Sequence, residues 1–174
     1  MASLIPAAGS TGSGSLTLQG PSTSSTQTVT IPDATGTMMV SGNMPAFSAY
    51  SSAAQSISSS TYTKVTFDTK EFDTNNNFAS SRFTPTVAGY YQFTAGIQVA
   101  ATTTTQLVFY KNGAVFKYGN QCASISYVTN NSTALIYCNG STDYVELYAL
   151  FGATNNTNPS NSSVYFQASM VRAS

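Results

Sequence analysis

Phe83-Thr84-Pro85-Thr86-Val87-Ala88-Gly89-Tyr90-Tyr91-Gln92-Phe93-Thr94-Ala95-Gly96-Ile97-Gln98-Val99 decides the fold of this chain. From Gly89 onward, Tyr91, Phe93, Ala95, Ile97 and Val99 fall on one face. A period of two is that of a β-strand with one face turned inward. The same period recurs in short runs over Lys64–Phe67, Gln106–Tyr110, Ala123–Val128, Thr133–Cys138, Tyr144–Phe151 and Ser163–Val171. In the run from Tyr144, Val145, Leu147 and Ala149 oppose Tyr144, Glu146 and Tyr148. Gly, Asn and Ser bound these runs, and no amphipathic, capped helix interrupts them. Such a series predicts an all-β antiparallel sandwich or jelly roll.

The turns are legible too. Asn112-Gly113 lies between Val108-Phe109-Tyr110 and Val115-Phe116, and that dipeptide accepts the positive φ angles of a tight hairpin. Asn139-Gly140 separates Leu135–Cys138 from Tyr144–Leu147 and predicts a second hairpin. Residues 152–163 form a long polar loop, suited either to binding or to plain solvent exposure.

Ahead of Pro45 the composition changes. Residues 1–44 are rich in Gly, Ser and Thr, lack aromatics and carry one charge, Asp33. They read as an extended arm preceding a domain over 45–174. Leu16 and Leu18, then Val29 and Ile31, alternate within it. Such segments suit strand addition to an exposed sheet edge; a plain unstructured tail is the competing reading.

Charge excludes several functions. Only 7% of the 174 residues are charged, where roughly a quarter is usual. Six basic and six acidic residues cancel, so there is no basic stripe for nucleic acid. Near-neutrality permits assembly, since little repulsion keeps copies apart. No apolar run approaches the roughly 18 residues of a membrane span, and no secretory signal is read at the start.

The chain has no His, which removes the commonest general base and metal ligand. Asp68, Glu71 and Asp73 cluster around Lys70 and are the one start of a calcium site, against the reading of a solvated loop. Asp143 and Glu146 are too near in sequence, and on opposite strand faces, for a hydrolytic pair. No enzymatic activity and no cofactor are therefore expected. A hairpin turning at Asn130 would oppose Cys122 and Cys138. A cross-strand disulfide is then conceivable, although two buried reduced thiols suit a protein made in a cytoplasm.

Lys64-Val65-Thr66-Phe67-Asp68, followed by the Phe83–Phe93 stretch, resembles the signature of C1q-like domains. That signature is a strand ending V-x-F-D, a spacer, and F-T-P-x-x-A-G-x-Y-x-F. Phe47-Ser48-Ala49 resembles the opening F-x-A strand, and Tyr110-Lys111-Asn112-Gly113 the K-N-G turn. Val164-Tyr165-Phe166-Gln167-Ala168 resembles the closing strand, where the family has F-x-G. Asn139–Asp143 makes a longer turn than the family's Gly-Asp, and Ala168-Ser169-Met170 lacks its Gly. The collagen stalk of animal members is absent. The arm resembles segments of phage structural proteins, in Leu16-Thr17-Leu18 and Thr28–Thr37.

The resemblance implies a ten-stranded C1q/TNF-type jelly roll that packs as a homotrimer and acts by binding. Phe47, Phe67, Phe83, Pro85, Gly89, Tyr91, Phe93, Asn112, Gly113 and Phe166 would carry fold and trimer. Eleven Tyr and ten Phe, with no Trp, leave open whether all aromatics fill one core or some lie between subunits. The leading expectation is a capsid decoration or cement protein on a phage virion, made in the host bacterial cytoplasm. Leu16, Leu18, Val29 and Ile31 would attach it to the major capsid protein or other virion proteins. The alternative is a receptor-binding tip of a head or tail fibre that recognises a host surface glycan or protein.

Overall fold

The computed structural model describes residues 44–125 and 127–174, with Ser124 by its backbone alone. Leu16, Leu18, Val29 and Ile31 lie outside the described residues. Among the described residues the chain forms thirteen strands and no helix. They are β1 (Ala46–Tyr50), β2 (Ser56–Ile57), β3 (Thr63–Lys64), β4 (Thr69–Asp73), β5 (Phe78–Ala79), β6 (Arg82–Phe83) and β7 (Gly89–Gln98). Then follow β8 (Thr103–Lys111), β9 (Ala114–Ser124), β10 (Thr129–Cys138), β11 (Val145–Phe151), β12 (Asn155–Asn156) and β13 (Tyr165–Ala173). One sheet has the order β10-β7-β13-β1-β4. The other has the order β5-β6-β11-β8-β9, with β3 paired to β11. β12 and β2 make a small ladder of their own, and every ladder between strands is antiparallel.

The deciding stretch becomes the long β7, and Tyr91, Phe93, Ala95 and Ile97 on its inner face, with Val99 just beyond its end, are wholly buried. They meet Leu147 and Ala149 of β11, Leu107 and Phe109 of β8, and Phe166 of β13 in one core. Each Phe, Ile, Leu or Val among them contributes roughly 1.5–3 kcal/mol on leaving water. Phe47, Phe67, Phe83 and Pro85 are buried as well. Gly89 allows the chain to close: a Cβ there would run into the Arg172 carbonyl oxygen, where β13 bulges against β7. The Tyr91 hydroxyl donates to the Val87 carbonyl at 2.6 Å and ties the bend before β7 to the strand.

The Asn112-Gly113 hairpin joins β8 to β9, with φ of 53° and 80° at its two residues. Four other readings are corrected. Asn139-Gly140 does not close a hairpin: β10 and β11 belong to different sheets, so the turn is a crossover. The Asn139 side chain accepts from the amides of Ser141, Thr142 and Asp143, which builds that longer turn. The run Ala123–Val128 is not one strand, because β9 ends at Ser124 and the chain then passes to the opposite sheet. Lys64–Phe67 keeps its backbone pairing with β11 only as far as the Val65 amide, which donates to the Leu147 carbonyl; beyond it side chains take over, Gln55 Oε1 accepting from the Thr66 amide and Ser81 Oγ from the Phe67 amide. Thr69–Asp73, read as a loop, is instead the short edge strand β4, with a bulge at Ser48/Ala49 where it meets β1. The 152–163 loop is fastened to the domain by β12 on β2 and by the Thr157 hydroxyl, which accepts from the Gln55 amide.

Candidate interaction surfaces

Three surfaces stand out, and the first is an apolar edge. β9 and β10 are the outermost strands of the two sheets, on the same side of the sandwich. Side chains stitch them together where no ladder does. Asn120 accepts from Asn130 and donates to it, and Asn130 also donates to the Thr105 hydroxyl at 3.0 Å. The Ser132 hydroxyl accepts from the Asn120 amide at 2.7 Å. Gly119 lets β9 come this close, since a Cβ there would strike Ser132. Outside this seam, Phe116 is 47% exposed, Tyr118 63% and Leu135 46%, with Val115, Tyr137 and Tyr90 also open. Lys111 organises the band. Its ammonium sits 5.6 Å from the Phe116 ring centre and 5.7 Å from that of Tyr137, and Tyr137 in turn lies 5.4 Å from Tyr90. An exposed apolar ridge of this kind suits burial against another chain.

At the other edge of the β10-β7-β13-β1-β4 sheet, Phe72 of β4 is half exposed. It borders a shallow groove of about 250 Å³ on the outer face, lined also by Ala46, Gln92, Thr94 and Gln167. Ridge and groove are different surfaces of one chain.

The third surface is polar. On the outer face of the β5-β6-β11-β8-β9 sheet, Glu146 is buried and receives Lys64 Nζ at 2.7 Å and Arg82 Nε at 2.8 Å on one oxygen. Lys64 also donates to the Ser80 carbonyl, and the Arg82 guanidinium lies 3.8 Å over the Tyr144 ring. Lys64, Arg82, Asn76, Asn77, Thr84 and Thr86 border a cleft of about 490 Å³. Burial alone would push the Glu146 carboxyl up, but the hydrogen bonds and charges of Lys64 and Arg82 outweigh it and hold it below the usual range. Asp143 behaves alike: burial opposes ionisation, while Asn112, Lys111 and the Asn139 amide prevail and lower it. A carboxyl held down in the folded state adds stability that is complete above its unfolded value and lost as pH falls through the folded one. The urea midpoint is therefore expected to be flat from neutrality to about pH 5 and to drop below the ordinary carboxylate values of 4.5 and 3.8. Glu146→Gln should shrink that drop, and an equal drop in the variant refutes the assignment.

The acid cluster Asp68, Glu71 and Asp73 is dispersed onto separate partners. Asp68 takes the Ser52 amide and hydroxyl, and the first of these, more than any other contact, lowers its carboxyl. Glu71 accepts from the Ser48 hydroxyl, and Asp73 caps the Asn77 and Phe78 amides. Among the described residues no group of three or more His, Cys, Asp or Glu comes together to hold a metal. The opposed-cysteine hairpin is also corrected, because β9 and β10 lie in different sheets. Cys122 stands opposite Thr105 and is only half-buried, while Cys138 is buried opposite Gly89, and no disulfide joins them. Burial pushes the Cys138 thiol up to about 11.

Sequence reading missed all three surfaces. An exposed Phe116 or Phe72 carries the same letter as a core Phe, and only the register separates them.

No family model and no curated protein matches the chain. Solved structures do. The globular domain of zebrafish complement 1qA aligns with TM-score 0.56 and 18% identity over 75% of this chain and 98% of that one. Murine APRIL at pH 8.0 aligns with TM-score 0.57 and 10% identity over 74% and 99%. PRD1 vertex protein P5 aligns with TM-score 0.50 and 18% identity over 74% and 97%. The described domain therefore has the C1q/TNF-type jelly-roll fold.

Proposed function

We propose that this chain is a virion surface protein, assembled as a homotrimer, that decorates a phage capsid and acts by binding rather than by catalysis. The observation that carries the reading is the pair of unlike surfaces on one domain, the apolar ridge around Phe116 and the half-exposed Phe72 beside its groove of mixed polarity. When the surfaces are different, one copy joins the next head to tail, and such contacts either close into a ring or run on as a filament. Three is the number the C1q-like resemblance implies. The likeness to a vertex protein and the phage-type sequence of residues 1–44 support a place on a particle. In this reading the arm, through Leu16, Leu18, Val29 and Ile31, holds the trimer to the major capsid protein. Strand pairing and apolar burial drive attachment, so salt should weaken it little.

Light scattering of the full chain should give about three times its mass of 18.2 kDa. Deleting residues 1–40 should leave that trimer intact and strip it from purified particles. Unchanged occupancy sinks the attachment role. Block of host adsorption by the free protein would instead place it at a receptor-binding tip.

A further inference from the structure

The Lys64–Arg82 cleft has a charge that its own structure does not use up. Two cations share the single carboxylate of Glu146, and both bonds end on the same oxygen. The neighbouring Lys70 and Asp73 cancel each other at 3.3 Å. The cleft thus carries one net positive charge, in a chain with only six Lys and Arg altogether. Nε of Arg82 is committed to Glu146, while its two terminal nitrogens have no hydrogen-bond partner among the described residues. Its plane is fixed by the Tyr144 ring beneath it. A held guanidinium with its outer fork open is the group that grips a carboxylate or phosphate with two parallel bonds.

The surroundings are polar, not apolar. Thr84, Thr86, Asn76 and Asn77 face a volume of about 490 Å³, more than a single small anion occupies. Three non-glycine residues at this place, Asn76, Ser80 and Ser81, have φ between 50° and 57°. The β5–β6 hairpin turns on Ser80-Ser81, where Gly would be the cheaper residue. Ser81 is kept by its hydroxyl, which takes the Phe67 amide, and the turn aims the Ser80 carbonyl at Lys64. Such strain gathers where a constellation must be held in place. In its sheet the cleft lies toward β5 and β6, the side away from β9, so the apolar ridge does not reach it.

We infer that this cleft is a binding site for an acidic saccharide, with Arg82 and Lys64 reading its anionic group and the Thr84 and Asn76 side chains its hydroxyls, while Asn77 and Thr86 are bonded to each other and shape the wall. The inference needs neither the trimer nor the particle. It is tested on the full chain by calorimetry or saturation-transfer NMR with three probes: trigalacturonate, neutral maltotriose and inorganic phosphate. Trigalacturonate should bind, and more weakly as salt rises. Arg82→Gln should weaken it at least tenfold. So should Asn76→Asp, which puts a negative charge on the rim at an exposed position whose left-handed backbone Asp tolerates, and so leaves the fold intact. Maltotriose or phosphate binding as tightly as trigalacturonate overturns the proposal. So does an unchanged affinity in Asn76→Asp, or no binding of trigalacturonate at all.

Discussion

Phe166→Ala is expected to cost about 3–5 kcal/mol, a large share of the roughly 5–15 kcal/mol that keeps an ordinary domain folded. Phe166 lies on β13 in the middle of its sheet and has no exposed surface. Its ring centre lies between 5.2 and 6.4 Å from those of Phe47, Phe67, Phe78, Phe93 and Phe109. Phe93 stacks on it with an interplanar angle of 22°, and Phe47 meets it edge-on at 77°. These rings come from both sheets, so the side chain is the contact through which the sandwich closes. Truncation removes its burial, forfeits the ring pairings at about 0.5–1.5 kcal/mol each, and leaves a void the stiff ladders cannot collapse around. A urea titration measures the loss. Phe166→Leu should recover most of it by refilling the void, and a cost below about 1 kcal/mol for alanine would contradict the hub role. By contrast, Phe72→Ala at the half-exposed edge should move the monomer's stability by less than about 1 kcal/mol.

That contrast marks what was legible in the letters. Period two exposed β7, β8, β11 and β13, because each buries one face and polar residues or turns bound it. Asn112-Gly113 was readable because its backbone geometry is local. Asn139-Gly140 was not, since whether two strands pair or part into different sheets is settled by distant partners. Lys64–Phe67 misled for the opposite reason: its alternation is real, but after the Val65 amide meets Leu147 of β11, Gln55 and Ser81 satisfy the Thr66 and Phe67 amides in place of a neighbouring strand. The acid cluster looked like a site because Asp68, Glu71 and Asp73 are near in sequence. β4 and the turn after it send them to Ser48, Ser52 and the Asn77 and Phe78 amides instead. The Lys64–Arg82–Glu146 cluster escaped notice because its members come from β3, β6 and β11. Only their register places Lys64 opposite Tyr148, next to Glu146.

Phe116→Asp is expected to turn the proposed trimer into monomers with little change in the unfolding midpoint of each domain. The two outcomes separate because Phe116 is half exposed on β9 and takes no part in the core, so the monomer loses only a weak Lys111 contact worth about 0.5–1 kcal/mol. Within an assembled ring the same position is covered. A carboxylate there is desolvated, and Lys111, the cation that lies over the Phe116 ring, is already held by Asp143 at 2.8 Å. Removing an aromatic anchor and burying an unpaired charge together cost roughly 3–5 kcal/mol per contact, a hundredfold or more in affinity. A head-to-tail ring spends one such contact at every subunit, so the loss falls on all of them at once. Phe72→Asp, beside the groove proposed to receive the ridge, should produce the same monomer, and mixing the two variants should not restore a closed ring. A dimer built by β9 pairing with β9 behaves differently: Phe116→Asp breaks it, while Phe72→Asp leaves it whole. Sedimentation of the two variants therefore decides between a ring of unlike surfaces and a symmetric edge pair.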